Sequence, residues 1–152
     1  MDNEIRHQTF VFERRCPASV PVVFDMLADP VKRARWSAPS DTAAFVYEAV
    51  DWREGGEDVF RCGSKDNPQY TGRTTYISIV PASRIVSMEV VEAGGRKLMA
   101  SLITTELEAV GDATNLRMTV QVTSFAGDDM LKGTSTGNNA SLDNLVHQVS
   151  RL

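Results

Sequence analysis

Between residues 42 and 124 the sequence consists almost entirely of strand-like segments joined by tight turns. The last of them, NLRMTVQVTS at residues 115–124, alternates apolar and polar residues, which predicts a strand with one buried and one solvated face. The dipeptide Gly94-Gly95 is typical of a two-residue hairpin turn. A sheet built from such segments has an apolar face that another element must cover.

We predict seven strands, one before this run and six within it. They cover residues 6–15, 42–52, 58–63, 74–80, 84–93, 97–109 and 115–124. In the fourth, fifth and sixth strands both alternating sets contain apolar residues. The sequence therefore leaves open which set of side chains faces inward in these three strands.

Two short helices are predicted after the first strand. Ser19 is a suitable N-cap for a helix that begins near Val20. Pro21 fits the first turn, because the N–H that proline lacks would be unpaired there. Asp29-Pro30 ends this helix, and VKRARW at residues 31–36 forms the second one.

The C-terminal segment LKGTSTGNNASLDNLVHQV, residues 131–149, has two dissimilar halves. The apolar residues at helical spacing in its second half are Leu142, Leu145, Val146 and Val149. The first half contains Gly133 and Gly137 among hydroxyl and amide residues. Two glycines in a helix interior cost roughly 2 kcal/mol relative to alanine, so this half could also be a loop.

The C-terminal segment is the one long element available to cover the sheet. The predicted fold class is therefore α+β, with a curved six- to seven-stranded antiparallel sheet wrapped around a long C-terminal helix and two short helices after the first strand. Internal repeats and linker-like stretches are missing from the sequence, so we expect a single domain over residues 1–152.

Composition narrows the classes of partner. A formal net charge of −4 argues against nucleic acid and anionic membranes, and no apolar run approaches the roughly 20 residues that span a bilayer. The polar, acidic start MDNEIRHQTF does not resemble a signal peptide, so a cytoplasmic protein without membrane insertion is expected. Self-association into a homodimer stays open.

The residues that usually carry metal or thiol chemistry are few and scattered. Cys16 and Cys62 lack metal-type spacing, and we expect two free thiols. His7 and His147 are far apart in the chain and give little support to a transition-metal site. No nucleophile elbow or phosphate-binding loop is present. We therefore expect no metal and no cofactor.

Several short motifs occur in the order that one known superfamily uses. The chain resembles the START-like (SRPBCC, helix-grip) superfamily and, within it, domains similar to the activator of the heat-shock-protein ATPase. The motifs are FERRCPASVPVVFDMLADPVKRARW (12–36), DWREGG (51–56), the segment from Gly72 to PASRI (81–85), and LDNL (142–145). The resemblance implies a ligand cavity between the concave sheet face and the C-terminal helix.

The chain departs from this family at one clear position. The family's C-terminal helix usually carries Gly-Trp, whereas this chain has Gly137-Asn138, and Trp36 is retained. An amide in place of an indole removes apolar bulk and adds hydrogen-bonding groups. The resemblance also implies that the helix covers roughly 128–151, so that GTSTGNN is helical and lines an enlarged, more polar cavity.

The candidate ligand-binding residues follow from this arrangement. Counting back along the helix from Leu145 gives Ser141, Asn138 and Thr134, while the leucines and valines beyond them close one end. The candidates from the rest of the chain are Trp36, Phe60, Cys62, Tyr76, Ser78, Glu89, Ser101, Ile103, Thr105, Leu116, Met118 and Val120. For the apolar members, ordinary core packing is the competing interpretation.

Glu89 is the one candidate for catalysis, and two interpretations of it compete. In the first, which we favour, it is a solvated strand residue opposite Lys97 or Arg96. In the second it is a cavity carboxylate whose pKa rises by desolvation, so that it acts as an acid or base.

Three functions are compatible with the sequence. The first is binding of a small hydrophobic or amphipathic ligand, lipids included, in the cavity. The second is a cyclase- or hydrolase-type enzyme on the same scaffold, which is favoured less because a buried titratable group is needed. The third is a chaperone cofactor or protein-interaction module, ranked last because such relatives usually carry a further domain.

Overall fold

The computed structural model describes residues 3–38 and 40–152, and shows three helices and one seven-stranded antiparallel sheet in that part of the chain. The elements are β1 (Arg6–Cys16), α1 (Val20–Ala28), α2 (Pro30–Ser37), β2 (Ala43–Ala49), β3 (Glu57–Ser64), β4 (Tyr70–Val80), β5 (Arg84–Ala93), β6 (Arg96–Val110), β7 (Ala113–Ser124) and α3 (Asp128–Val149). The predicted α+β helix-grip fold is confirmed.

The sheet is a meander from β2 to β7, and β1 returns to pair with β7 at the far edge. Alternation places Leu116, Met118 and Val120 inside and leaves Arg117 exposed, as the sequence pattern predicts. Phe12 pairs with Met118 across the β1–β7 ladder and adds to the same core.

One aspartate both ends the first helix and starts the second. The Asp29 backbone N–H donates to the Asp25 carbonyl at the end of α1, and its carboxylate accepts from the N–H of Val31 at 2.9 Å. This is the N-cap geometry that satisfies otherwise unpaired donors at a helix start. The side chain of Trp36 then fixes α2 against α1, because its indole N–H donates to the Met26 carbonyl at 2.8 Å.

Helix α3 is continuous through GTSTGNN, so the helical interpretation of this stretch is confirmed. Its buried residues fall in two groups, Leu131 and Thr134 near the start and Leu142, Leu145 and Val149 near the end. The residues from 135 to 141 are half-buried or exposed. Among the helices within residues 3–38 and 40–152, none is long and apolar enough to cross a bilayer.

Alanine at either helical glycine is expected to stabilise the protein. A Cβ at Gly133 or Gly137 would meet no atom within 4 Å, so the usual helix propensity applies without a steric penalty. Gly133→Ala and Gly137→Ala should each raise the free energy of unfolding by about 1 kcal/mol in urea titrations. A loss of stability in both variants would contradict the open space seen beside these residues.

A β-bulge overturns one assignment on β4. Tyr76 pairs with Ser87 and Ser78 with Val86, so Ile77 is an extra residue that has no partner on β5. The bulge reverses the alternation, and Ile79 rather than Ser78 packs against the core. Strand β2 also ends earlier than predicted, at Ala49, which places Trp52 in the turn before β3.

Candidate functional site

Two adjoining chambers lie between the concave face of the sheet and helix α3. The larger has a volume of about 490 Å³ and is bounded by β2 to β7 and the first half of α3. The smaller, of about 200 Å³, extends towards α1 and α2. The residues that line both are Ser37, Phe45, Phe60, Glu89, Ile103, Asn138 and Ser141.

The structure brings most of the sequence-predicted site residues to these chambers. Those found in the larger chamber alone are Cys62, Ser101, Val120 and Thr134, and those in the smaller chamber alone are Trp36, Tyr76, Thr105 and Met118. Phe60, Glu89, Ile103, Asn138 and Ser141 line both. Ser78 and Leu116 line neither chamber, because the bulge at Ile77 turns Ser78 to the other face and Leu116 is buried in the core. Contact with a ligand stays a prediction for all of them.

Glu89 points into the cavity. Its cross-strand partner on β6 is Ser101, while Glu92 pairs with Lys97 and Ala93 with Arg96. The interpretation that placed Glu89 opposite a basic residue in solvent is therefore wrong. Burial raises the pKa of the Glu89 carboxyl to about 7, and the surface that it still exposes faces the two chambers.

Glu89 and Ser101 are unpaired polar groups on one wall. The Ser101 side chain is 3% exposed, and its hydroxyl has no hydrogen-bond partner within the described part of the chain. The Glu89 carboxylate likewise accepts no hydrogen bond from any residue in the described part of the chain. Buried polar groups normally have partners, so this pair marks a place where a bound group would be stabilised.

Glycine at position 72 gives the cavity its aromatic wall. Phe60 pairs with Gly72 across β3 and β4, and a Cβ at Gly72 would lie 2.0 Å from the Phe60 ring. The ring therefore lies directly over the backbone of β4. Phe45 stacks on the other side of Phe60, with 4.6 Å between the ring centroids.

Helix α3 presents hydrogen-bond acceptors to the cavity. The Thr134 hydroxyl donates to the Met130 carbonyl at 2.8 Å, and the Asn138 amide NH₂ donates to the Thr134 carbonyl at 2.9 Å. The Ser141 hydroxyl donates to the Ser37 carbonyl at 2.8 Å. Because a carbonyl must receive a donor, the orientation of the Asn138 amide is fixed, and its Oδ1 has no partner among the described residues.

Arg33, which lines the smaller chamber, forms a buried ion pair with Asp58 behind the chamber wall. Arg33 donates to Asp58 at 2.8 Å, and the two side chains are 10% and 1% exposed. Asp58 also accepts hydrogen bonds from the Tyr76 hydroxyl and, at 2.9 Å, from the Asp51 N–H. The Arg33 guanidinium lies 4.9 Å from the Tyr47 ring centroid, within cation–π range.

Sequence reasoning missed this ion pair, although two signals were present. Arg33 is three residues before Trp36 and so shares the inward face of α2, and Asp58 alternates with Phe60 and Cys62 on β3. Burial raises the pKa of Tyr76, and its hydrogen bond to Asp58 raises it further. The Tyr76 hydroxyl therefore keeps its proton at neutral pH and donates it to Asp58.

The remaining titratable groups do not form a nucleophilic site. Burial, with a smaller contribution from the Glu89 charge, raises the pKa of Cys62 to about 11, so this thiol is protonated at neutral pH. Within residues 3–38 and 40–152, no three His, Cys, Asp or Glu side chains are grouped so that they could hold a metal ion. Glu89, with a pKa raised to about 7, is an acid–base candidate in the described lining of the chambers.

The sheet, the long covering helix and the chambers between them define a helix-grip protein of the START-like class. The chain belongs to the family described as Activator of Hsp90 ATPase homolog 1-like protein, whose model matches residues 17–150. The family that the sequence motifs indicated is confirmed. A comparison with curated proteins gave no match.

Solved structures share the whole fold. The Mll3558 protein from Rhizobium loti is 35% identical, with 95% of this chain and 98% of that chain covered and a TM-score of 0.83. An uncharacterized protein from Rhizobium leguminosarum is 27% identical over 98% of both chains, also with a TM-score of 0.83. Protein CV1439 from Chromobacterium violaceum, at 20% identity, covers 93% of this chain and 96% of its own with a TM-score of 0.76, and shows the fold alone.

Proposed function

We propose that the protein binds a small apolar or amphipathic molecule in the larger chamber. The observation that carries this proposal is the 490 Å³ space beneath α3, which has the size of small-molecule sites in other proteins. Apolar side chains such as Val91, Met99 and Val120 supply most of its wall. The few polar groups, Glu89 and Ser101 among them, would orient the ligand.

A neutral apolar dye tests this function directly. Nile red should bind to the protein with an increase in fluorescence. Asn138→Trp, which places an indole in both chambers, should weaken dye binding by about tenfold or more because it removes the space for the dye.

The matched control is Thr136→Trp, which adds the same indole to an exposed position on the same helix. Dye affinity should change by less than about twofold in this variant. A wild-type protein that takes up no dye, or a pair of variants that bind it equally well, would overturn the proposed function.

The second candidate function is an acid–base enzyme, and Glu89 is the observation that favours it. A carboxyl with a pKa near 7 can both donate and accept a proton at neutral pH. Once a substrate is known, Glu89→Gln should lower turnover by about a hundredfold if Glu89 transfers a proton. Full turnover in this variant would eliminate the enzymatic candidate.

A further inference from the structure

We propose that the ligand is a hydrophobic amine whose ammonium group is held between Glu89 and Ser101 on the sheet and Asn138 on the helix. This inference rests on the proposed function, because it names the class of molecule that the larger chamber takes. It follows from which hydrogen-bonding atoms the chamber leaves free.

Helix α3 offers the chamber more acceptors than donors. One N–H of the Asn138 amide and the Thr134 and Ser141 hydroxyls donate to backbone carbonyls. Among the described residues, the atoms left for a ligand here are the Asn138 Oδ1, the lone pairs of the two hydroxyl oxygens and the second N–H of the Asn138 amide. Three acceptor oxygens beside one donor favour a ligand group that brings donors of its own.

The sheet opposite offers a carboxylate and an unpaired hydroxyl. Glu89 and Ser101 are directly opposite each other on β5 and β6, on the face that points into the chamber. The Ser101 hydroxyl is deeply buried and unpaired, and Glu89 lacks a cationic partner in the described residues. An ammonium group, with three donors and one positive charge, would satisfy both.

The charges around the chamber select against an anion. Two carboxylates, Glu89 and Asp129, line the larger chamber, and none of the described lining residues is Lys, Arg or His. Arg33 lies in the smaller chamber, where Asp58 and the Leu27 carbonyl, at 2.8 and 2.7 Å, already occupy its guanidinium. A negatively charged ligand would be repelled, whereas an ammonium would supply the missing charge.

Three ligands that differ only in their polar end test the proposal. They are 4-phenylbutylamine, 4-phenylbutanol and 4-phenylbutanoate, compared by isothermal titration calorimetry at pH 8. At this pH the amine is charged and Glu89 is mostly ionised. We expect the amine to bind about tenfold more tightly than the alcohol, and the carboxylate to bind most weakly.

Variants of Glu89 and Ser101 test whether these residues cause the preference for the amine. Glu89→Gln should remove the roughly tenfold advantage of the amine over the alcohol. Glu92→Gln, on the same strand but lining neither chamber, changes net charge equally and should keep the wild-type preference. If Glu89→Gln does not fold, Ser101→Ala should still weaken the amine by about threefold more than the alcohol.

The possible failures can be told apart. If Nile red binds but the amine has no advantage over the alcohol or the carboxylate, the amine inference falls and the proposed binding function stands. The same conclusion holds if Glu89→Gln keeps the full amine preference. If neither Nile red nor any of the three ligands binds, both the proposed binding function and the amine inference are wrong.

Discussion

Replacing Asp58 by alanine is expected to lower the free energy of unfolding by about 3–5 kcal/mol. The carboxylate of Asp58 is 1% exposed and accepts hydrogen bonds from Arg33, Tyr76 and the Asp51 N–H. Its removal leaves the buried guanidinium of Arg33 without its counter-ion, and breaking one side of a buried pair is far more costly than replacing both sides. Urea titration at neutral pH measures the effect.

Two control variants distinguish the loss of the buried ion pair from the effect of removing an aspartate elsewhere. Asp51→Ala removes a carboxylate that is 44% exposed and contacts the exposed Arg53, so it should cost less than about 1 kcal/mol. The double variant Arg33→Met with Asp58→Leu should be more stable than Asp58→Ala, because neither charge then remains buried alone. Equal losses for Asp58→Ala and Asp51→Ala would contradict the role of the ion pair.

Glu89 is expected to make the protein less stable as the pH rises. Its pKa in the folded protein is about 7, above the ordinary glutamate value of 4.5, so the folded state binds this proton more tightly than the unfolded chain does. The resulting stabilisation is complete below about pH 4.5 and is lost as the pH rises through 7. Relative to Glu89→Gln, the free energy of unfolding should fall by roughly 3 kcal/mol between pH 5 and pH 8.

Urea titrations of both proteins across this interval check the prediction. Among the groups near Glu89, Cys62 has its pKa raised to about 11, and burial also raises the pKa of Tyr47, so neither loses its proton in this range. Asp129 is present in both the wild type and Glu89→Gln, so its contribution is common to both pH profiles. Glu92→Gln serves as the charge-matched control. Parallel pH profiles for wild type and Glu89→Gln would contradict the burial of this carboxyl.

Most of the fold follows from local patterns. The alternation in residues 115–124 and the Gly94-Gly95 turn predict their strands from the local sequence alone. Asp29-Pro30 likewise marks the junction of two helices by rules of local geometry. The bulge at Ile77 could not be predicted, because Tyr76, Ser78 and Ile79 allow either parity and packing against β5 decides between them.

The site was predicted less completely, for reasons of tertiary packing. Glu89 was interpreted as solvated because strand parity on β5 cannot be read when both faces contain apolar residues. Arg33 lies in a basic stretch with Lys32 and Arg35, and its three-residue spacing from Trp36 indicates the inward face but not the partner Asp58, which is distant in sequence. The helix side was easier, because once the family resemblance makes this stretch helical, the 3.6-residue period places Thr134, Asn138 and Ser141 on one face.

The way α3 is packed has a consequence for the evolution of this protein. The helix is held by buried leucines and a valine towards its ends, while the residues from 135 to 141 bear little of the core. Under the proposed function, stability and ligand preference therefore depend on different residues of one helix. We expect lineages of this fold to exchange ligands by substitutions in the middle of α3 while the fold itself persists.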